Sequence, residues 1–217
     1  MLSVTQVWHI IHAMSINQQL LINILDESAA MHKHLCPRQV LGARIGLRGL
    51  CALGLMDENG GDRFENGRKK LLTIVETDGC GLDGIAVATD CHVGRRTLRV
   101  MDYGKMAATL IDVKSKTAVR ISPQPNIRQL AHEYAPNARS RWHTFLEAYY
   151  IIPDEELLRV ETVILTKTIE EILSKPRVRI NCAECGEEIV NEREVLVNGR
   201  LLCLPCAGTT YYTTMNN

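Results

Sequence analysis

The amino-acid sequence predicts an α+β chain that ends in a small metal-stapled module, on three observations. Apolar residues recur at helical spacing up to about residue 54 and again between 126 and 150. Between those stretches, from Leu71 to Ile121, they run together or alternate as strands do. Near the carboxyl end, Cys182-x2-Cys185 and Cys203-x2-Cys206 are separated by 17 residues, the spacing of a four-thiolate zinc site.

Its 217 residues suffice for one sizeable domain and a small module, and fall short of two domains of average size. A composition that is 46% hydrophobic and 23% charged excludes a disordered chain. The 25 basic and 25 acidic residues cancel, so no overall field draws the protein to nucleic acid or to an anionic membrane. Met1 to Met14 has no cationic start and carries His9 and His12, unlike a secretory signal, and no apolar run reaches the length of a membrane span. We therefore expect a cytoplasmic protein, in which eight cysteines serve as ligands or redox groups rather than structural disulfides.

The first element is an amphipathic helix over 16–31, marked by Ile16, Leu20, Leu21, Ile24, Leu25 and Ala29. It delivers the chain to Met31-His32-Lys33-His34-Leu35-Cys36-Pro37. If residues 32–36 are extended, His32, His34 and Cys36 share one face, since extended side chains repeat every second residue. Pro37 suits the first turn of a helix, which puts Cys36 at the N-cap, where the helix dipole favours thiolate. The same run also fits a strand end whose polar groups are merely hydrogen-bonded.

A second helix spans 37–54, with Gly42, Gly46 and Gly49 on a shared face. Each glycine weakens a helix by about 1 kcal/mol relative to alanine, so three together imply close approach of another backbone. Core packing is the first explanation and a subunit contact the second. Residues 55–69, rich in turn formers and charge, form an exposed loop. Leu71 to Thr77 is a buried strand that ends in Asp78-Gly79-Cys80-Gly81. Cys80 then sits at or just beyond the carboxyl end of that strand, where α/β architectures bind ligands. A short helix over 82–89 ends near Asp90-Cys91-His92.

From Thr97 onward, strands at Leu98 and Val100, at 106–113 and at 117–121 read as an antiparallel meander with turns at 102–105 and 114–116. Helices over 126–133 and 139–150, a short helix opening at Pro153, a strand over 160–165 and a helix over 167–174 follow. Lys175-Pro176 marks a boundary between a core domain, 1–175, and a finger domain, 176–217. Within the finger, Val195 to Leu202 is a hairpin turning on Asn198-Gly199. A module of this size has too little core to fold unaided, so the metal supplies folding energy. Four arginines against five glutamates from Arg177 onward leave it without a basic surface, which argues against nucleic acid.

His32 to Pro37 with Gly42 and Arg44, Glu76-x-Asp78-x-Cys80-x-x-Asp83, Cys91-x-x-Gly94 and Asp102-Tyr103-Gly104-Lys105 together resemble the ordered motifs of the formylmethanofuran dehydrogenase E-subunit family. The four-cysteine module resembles the treble-clef finger of some members. The resemblance implies a mixed β-sheet flanked by helices, somewhat thioredoxin-like, and a homodimer. It also implies a transition-metal site at His34, Cys36 and Cys80, zinc or another metal, with His32, Asp78 and Cys91 nearby. Lys33 and Arg38 stand where the family commonly has glycine. The first function this suggests is a metal-binding accessory protein with a molybdo- or tungsto-enzyme partner. A second is a zinc-dependent or thiol-redox enzyme using Cys36 and Cys80, with Asp78 or Glu76 as proton carrier. A zinc-finger interaction regulator is the third. Arg95, Arg96 and Arg99 could hold an anion, although a solvated turn accounts for them equally well.

Overall fold

Helix α1 (Gln18–His32) buries Leu21, Ile24 and Leu25 along one stripe, following the periodicity of its sequence. In the computed structural model the described residues are 18–57, 62–174, 177–213 and 215, with the side chain of His32 excepted. The expectations for Met1–Met14, for residues 58–61 and for Lys175-Pro176 lie outside them. α1 stops because Lys33 takes φ 63°, the left-handed conformation that caps helices and favours glycine. A lysine there costs about 1–2 kcal/mol relative to glycine. His32 thus closes α1, and the run 32–36 is not extended throughout. The alternation expected to align His32, His34 and Cys36 does not operate.

Helix α2 (Pro37–Ala52) starts as the sequence indicates, with Pro37 in its first turn and Cys36 as extended N-cap. Gln39 fixes this start. Its Oε1 accepts the Cys36 N–H at 2.8 Å, and its Nε2 donates to both Ser28 O and Ser28 Oγ at 2.9 Å, tying α2 to α1.

Strand β1 (Leu71–Val75), helix α3 (Cys80–Thr89) and strand β2 (Leu98–Val100) form a crossover unit, so β1 and β2 pair in parallel. Strands β3 (Ala108–Asp112), β4 (Ala118–Pro123) and β5 (Leu158–Thr162) add antiparallel partners. The order β2-β1-β3-β4-β5 makes a mixed sheet. The meander expected from the alternation holds for β3-β4 and fails at β2, because α3 carries the chain across the sheet before β2 begins.

α2 and α3 meet along a glycine seam. A Cβ on Gly42 would stand 2.1 Å from Gly81 O, and one on Gly84 would stand 2.2 Å from Gln39 O and 2.7 Å from Ala43 N. Gly46 faces Ala88, while Gly49 turns to Leu110 of β3. The glycine face is filled within the chain, so it offers nothing to a second copy. Gly84→Ala should cost about 1–3 kcal/mol, because its obstacle is backbone that cannot rotate away. Chemical denaturation reads this directly, and an unchanged midpoint would contradict the seam.

Beyond β4 come α4 (Ile127–Tyr134), α5 (Arg141–Ile151) and the short α6 (Asp154–Leu157). Arg44 of α2 reaches them from inside the core: its Nη1 donates to Tyr149 O at 2.9 Å and to Ile152 O, and its guanidinium pairs with Asp154. Both side chains are 2% exposed. The carbonyls that α5 leaves unpaired at its end are thus satisfied by a cation from another helix.

The described residues divide into two compact units, one ending at Leu165 and one beginning at Thr166. The second opens with α7 (Ile169–Leu173), capped by a reciprocal Thr168–Glu171 pair. Two hairpins follow, β6 (Arg179–Asn181) with β7 (Glu188–Val190) and β8 (Val195–Val197) with β9 (Arg200–Leu202). The β8–β9 turn places Asn198 at φ 51° and Gly199 at φ 76°, both left-handed as a two-residue hairpin loop requires. Among the described residues no helix is long and apolar enough to cross a membrane.

Candidate functional site

Cys36 and Cys80 stand at the starts of α2 and α3, and the glycine seam makes them neighbours. Burial pushes the Cys36 thiol up, the Gln39 N–H opposes this, and the adjacent Cys80 adds to the rise. The thiolate expected from the helix dipole is therefore not the favoured form of Cys36 when no cation is beside it. Desolvation outweighs the helix terminus. Both cysteines line a cavity of about 620 Å³, within the size range of small-molecule sites. Arg38 and Met106 flank them, and α4 and α5 supply the opposite wall with Arg128, Arg141, Trp142 and Phe145.

His34 is exposed on the link between α1 and α2, and Asp78 is exposed on the link between β1 and α3; neither lines the cavity. Glu76 is nearly buried and gripped by Arg120 of β4 through contacts of 2.6 and 2.8 Å, a structural ion pair more than a free proton carrier. Cys91 lies beyond the far end of α3, and with a rise of ~1.5 Å per residue that is about 15 Å from Cys80. It is fully buried, and its sulfur accepts from Asn66 Nδ2 and Thr73 Oγ1 at 3.3 Å. It cannot serve as a fourth ligand beside Cys36 and Cys80. Arg95 is occupied by Asp90 Oδ1 and Asn66 O at 2.9 Å, and Asp102 caps its own turn through the Gly104 N–H at 2.9 Å. Both belong to turn structure, the plainer of their two readings.

In the finger the four sulfurs of Cys182, Cys185, Cys203 and Cys206 lie within 4.8 Å of one another. No other group of three or more such ligand atoms occurs among the described residues. Cys185 Sγ and Cys203 Sγ are 3.9 Å apart, against the ~3.8 Å that tetrahedral zinc–thiolate bonds of ~2.3 Å impose. The first knuckle turns on Gly186 at φ 78°, whose N–H returns to Cys182 O at 3.0 Å. Backbone N–H groups, that of Cys203 first at 3.3 Å, lower the Cys182 thiol to about 6. A hydrogen bond with Cys203, burial and the other two thiols push Cys206 up to about 12, and a divalent cation among the four sulfurs would displace the proton this holds. The donor set fits a four-thiolate zinc. Of the treble clef, the knuckles and hairpin are present, and where its closing helix would stand residues 204–208 form hydrogen-bonded turns.

A family model described as FmdE, molybdenum formylmethanofuran dehydrogenase operon, matches residues 31–159. The chain belongs to the FmdE family. A second model, the prokaryotic dksA/traR C4-type zinc finger, matches residues 176–212. The FmdE core also shares its fold with a solved FmdE-like protein of tungsten formylmethanofuran dehydrogenase type from Syntrophus aciditrophicus. That match has a TM-score of 0.55 at 18% identity and covers 89% of this chain and 95% of the other. A probable S-adenosyl-L-methionine-binding protein of Archaeoglobus fulgidus is 29% identical over 214 residues, covering 89% of this chain and 55% of its own length. The chain thus spans about half of that relative.

Sequence reasoning about this FmdE core found the two cysteines and missed the wall opposite them. Arg128, Arg141, Trp142 and Phe145 read as ordinary helix residues, and only the packing of α4 and α5 brings them to the thiols. Gln39 carried a legible signal that went unused, since a glutamine three residues after an N-cap marks a capping box.

Proposed function

We propose that this FmdE-family protein is a cytoplasmic metal-binding accessory factor for a molybdenum or tungsten formylmethanofuran dehydrogenase, with a structural zinc in its finger and a thiol-centred metal site in its core. The observation that carries the reading is the pairing of Cys36 and Cys80 in the lining of a ligand-sized cavity. His34, on the short link that precedes Cys36, is the third ligand in this proposal, reached by rotation of its exposed side chain. Thiolate and imidazole donors suit zinc, copper or nickel over magnesium or calcium. Three protein ligands leave a fourth position for water or substrate. Asp78, on the link that leads into Cys80, is the proton carrier of this scheme.

Cys36→Ser and Cys80→Ser should each lower bound metal by about one equivalent while the finger keeps its zinc, because the two sites share no thiol. Unchanged metal content in both variants would remove the core site. The adjacency of the two sulfurs favours one second reading, a thiol-redox catalyst. A Cys36–Cys80 disulfide formed under mild oxidation in a chain without core metal would select it. Binding of S-adenosylmethionine, suggested by the name of the Archaeoglobus relative, has less support. Its sulfonium would enter a cavity lined by three guanidinium groups and, among the described residues, no carboxylate.

A homodimer remains part of the proposal on family resemblance. With the glycine face used internally, an apolar groove between α1 and α5, bounded by Ile22, Leu25, Leu146 and Tyr150, is the surface offered to a second copy. Sedimentation at micromolar concentration should show twice the 24.3 kDa of one chain, and a single monomeric species would exclude the dimer.

A further inference from the structure

The thiol cavity carries a charge pattern that the metal reading does not use. Arg38, Arg128 and Arg141 line it, and among the described residues none of the three meets a carboxylate. Arg128 and Arg141 instead lie over the ring of Phe145, 6.0 and 5.7 Å from its centroid. Phe145 in turn stacks on Tyr149, with centroids 5.6 Å apart and planes 16° from parallel, and Trp142 extends this aromatic wall. Two cations parked on an aromatic face, with their hydrogen-bond donors unspent on acids, form a receptor for an anion beside a flat apolar surface.

The helices add to the same field. Pro37 and Arg38 of α2, Cys80 of α3, Ile127 and Arg128 of α4, and Arg141 and Trp142 of α5 all line the cavity, and each is a first-turn residue. Four helix starts therefore face one space. Each contributes a partial positive charge of roughly one half at its first turn. A volume of about 620 Å³ is several times what a bare oxyanion fills, and Met106, Leu41 and Phe145 give the remainder an apolar lining.

We propose that this cavity binds a phosphorylated planar heterocycle of mononucleotide size, the phosphate held by Arg128, Arg141 and the convergent helix starts, the ring laid against the exposed indole of Trp142 and the apolar lining beside it. The inference rests on the reading that the thiol cavity is the working site, and it does not depend on whether the thiols hold metal.

The test is calorimetric titration of the full chain with three pairs of probes: flavin mononucleotide and riboflavin, AMP and adenosine, GMP and guanosine. Inorganic phosphate serves as a seventh probe. At least one nucleotide should bind about tenfold or more tighter than its unphosphorylated partner, as expected for charge-assisted hydrogen bonds. That gain should disappear in Arg128→Gln and Arg141→Gln, whose exposed side chains can change without unfolding the core, with circular dichroism as the check. Equal binding within all three pairs, or inorganic phosphate binding as tightly as the best nucleotide, would overturn the proposal. Cys36→Ser separates it from the metal reading. Nucleotide binding that survives loss of core metal supports the arginine site. Binding lost together with the metal would place the anion on the metal and overturn the arginine assignment.

Discussion

Cys203→Ser should unfold the finger and leave the core's cooperative transition in place. Among the described residues the finger's buried cluster holds Cys182, Ile189 and Leu202, with Ile180, Val195 and Ala207 partly buried against it, too little apolar surface to offset the ordering of its chain. Structural zinc in such modules supplies about 10–16 kcal/mol of apparent binding free energy, so loss of one thiolate removes most of what folds it. The core has its own cluster, from Leu21 and Ile24 through Leu110 and Ile121, and none of its members belongs to the finger. Zinc content should fall by one equivalent, and amide signals from residues 177–213 should collapse toward random-coil shifts. Core signals should persist and its melting transition should keep its midpoint. If the core melts with the finger, the two are one cooperative unit and the division into two separately folding domains fails.

Asp154→Ala should cost about 3–5 kcal/mol, because Arg44 would be left charged and 2% exposed with no counter-ion. The remaining acceptors, Tyr149 O and Ile152 O, are neutral carbonyls that cannot replace a carboxylate. The double variant Arg44→Met, Asp154→Leu should recover much of this loss, since removing both charges also removes the cost of desolvating them. Urea denaturation of the wild type, the single variants and the double variant closes the cycle. A loss below about 1 kcal/mol in the single variant would mean that water reaches the pair and that it behaves as a surface contact.

The finger was legible in the sequence because all its chemistry is local: two knuckles and an Asn-Gly turn set ligand spacing within a short span. The helices and most strands were legible for a similar reason, periodicity being a property of neighbouring residues. What escaped was set by distance along the chain. β2 pairs in parallel with β1 because of where α3 lands, which alternation in Leu98–Val100 does not encode. Arg128 and Arg141 share a cavity with Cys36 across some ninety residues or more of intervening chain, so composition near the cysteine gave no hint of them. The state expected for Cys36 failed for a related reason: the helix terminus is local and visible, whereas the burial that outweighs it is tertiary. The glycines of α2 lay between these cases. Their need for a close neighbour was readable, and the identity of that neighbour, Gly81 and Ala88 of α3, was not.

Cys91 gives the protein a built-in clock. Its sulfur has no path to solvent while Asn66 bridges it to Leu71 O, at 3.3 and 2.9 Å, and β1 and α3 remain packed. An alkylating reagent meets it only in molecules whose core has opened, so the rate at which it is labelled under native conditions counts those openings one by one. When labelling outpaces reclosure, that rate is the unfolding rate itself. Cys80, half-buried and lining the cavity, reacts on a faster schedule set by access. One chain therefore records two timescales in one chemistry, and mass spectrometry of its peptides can read the lifetime of the folded state without any denaturant being added.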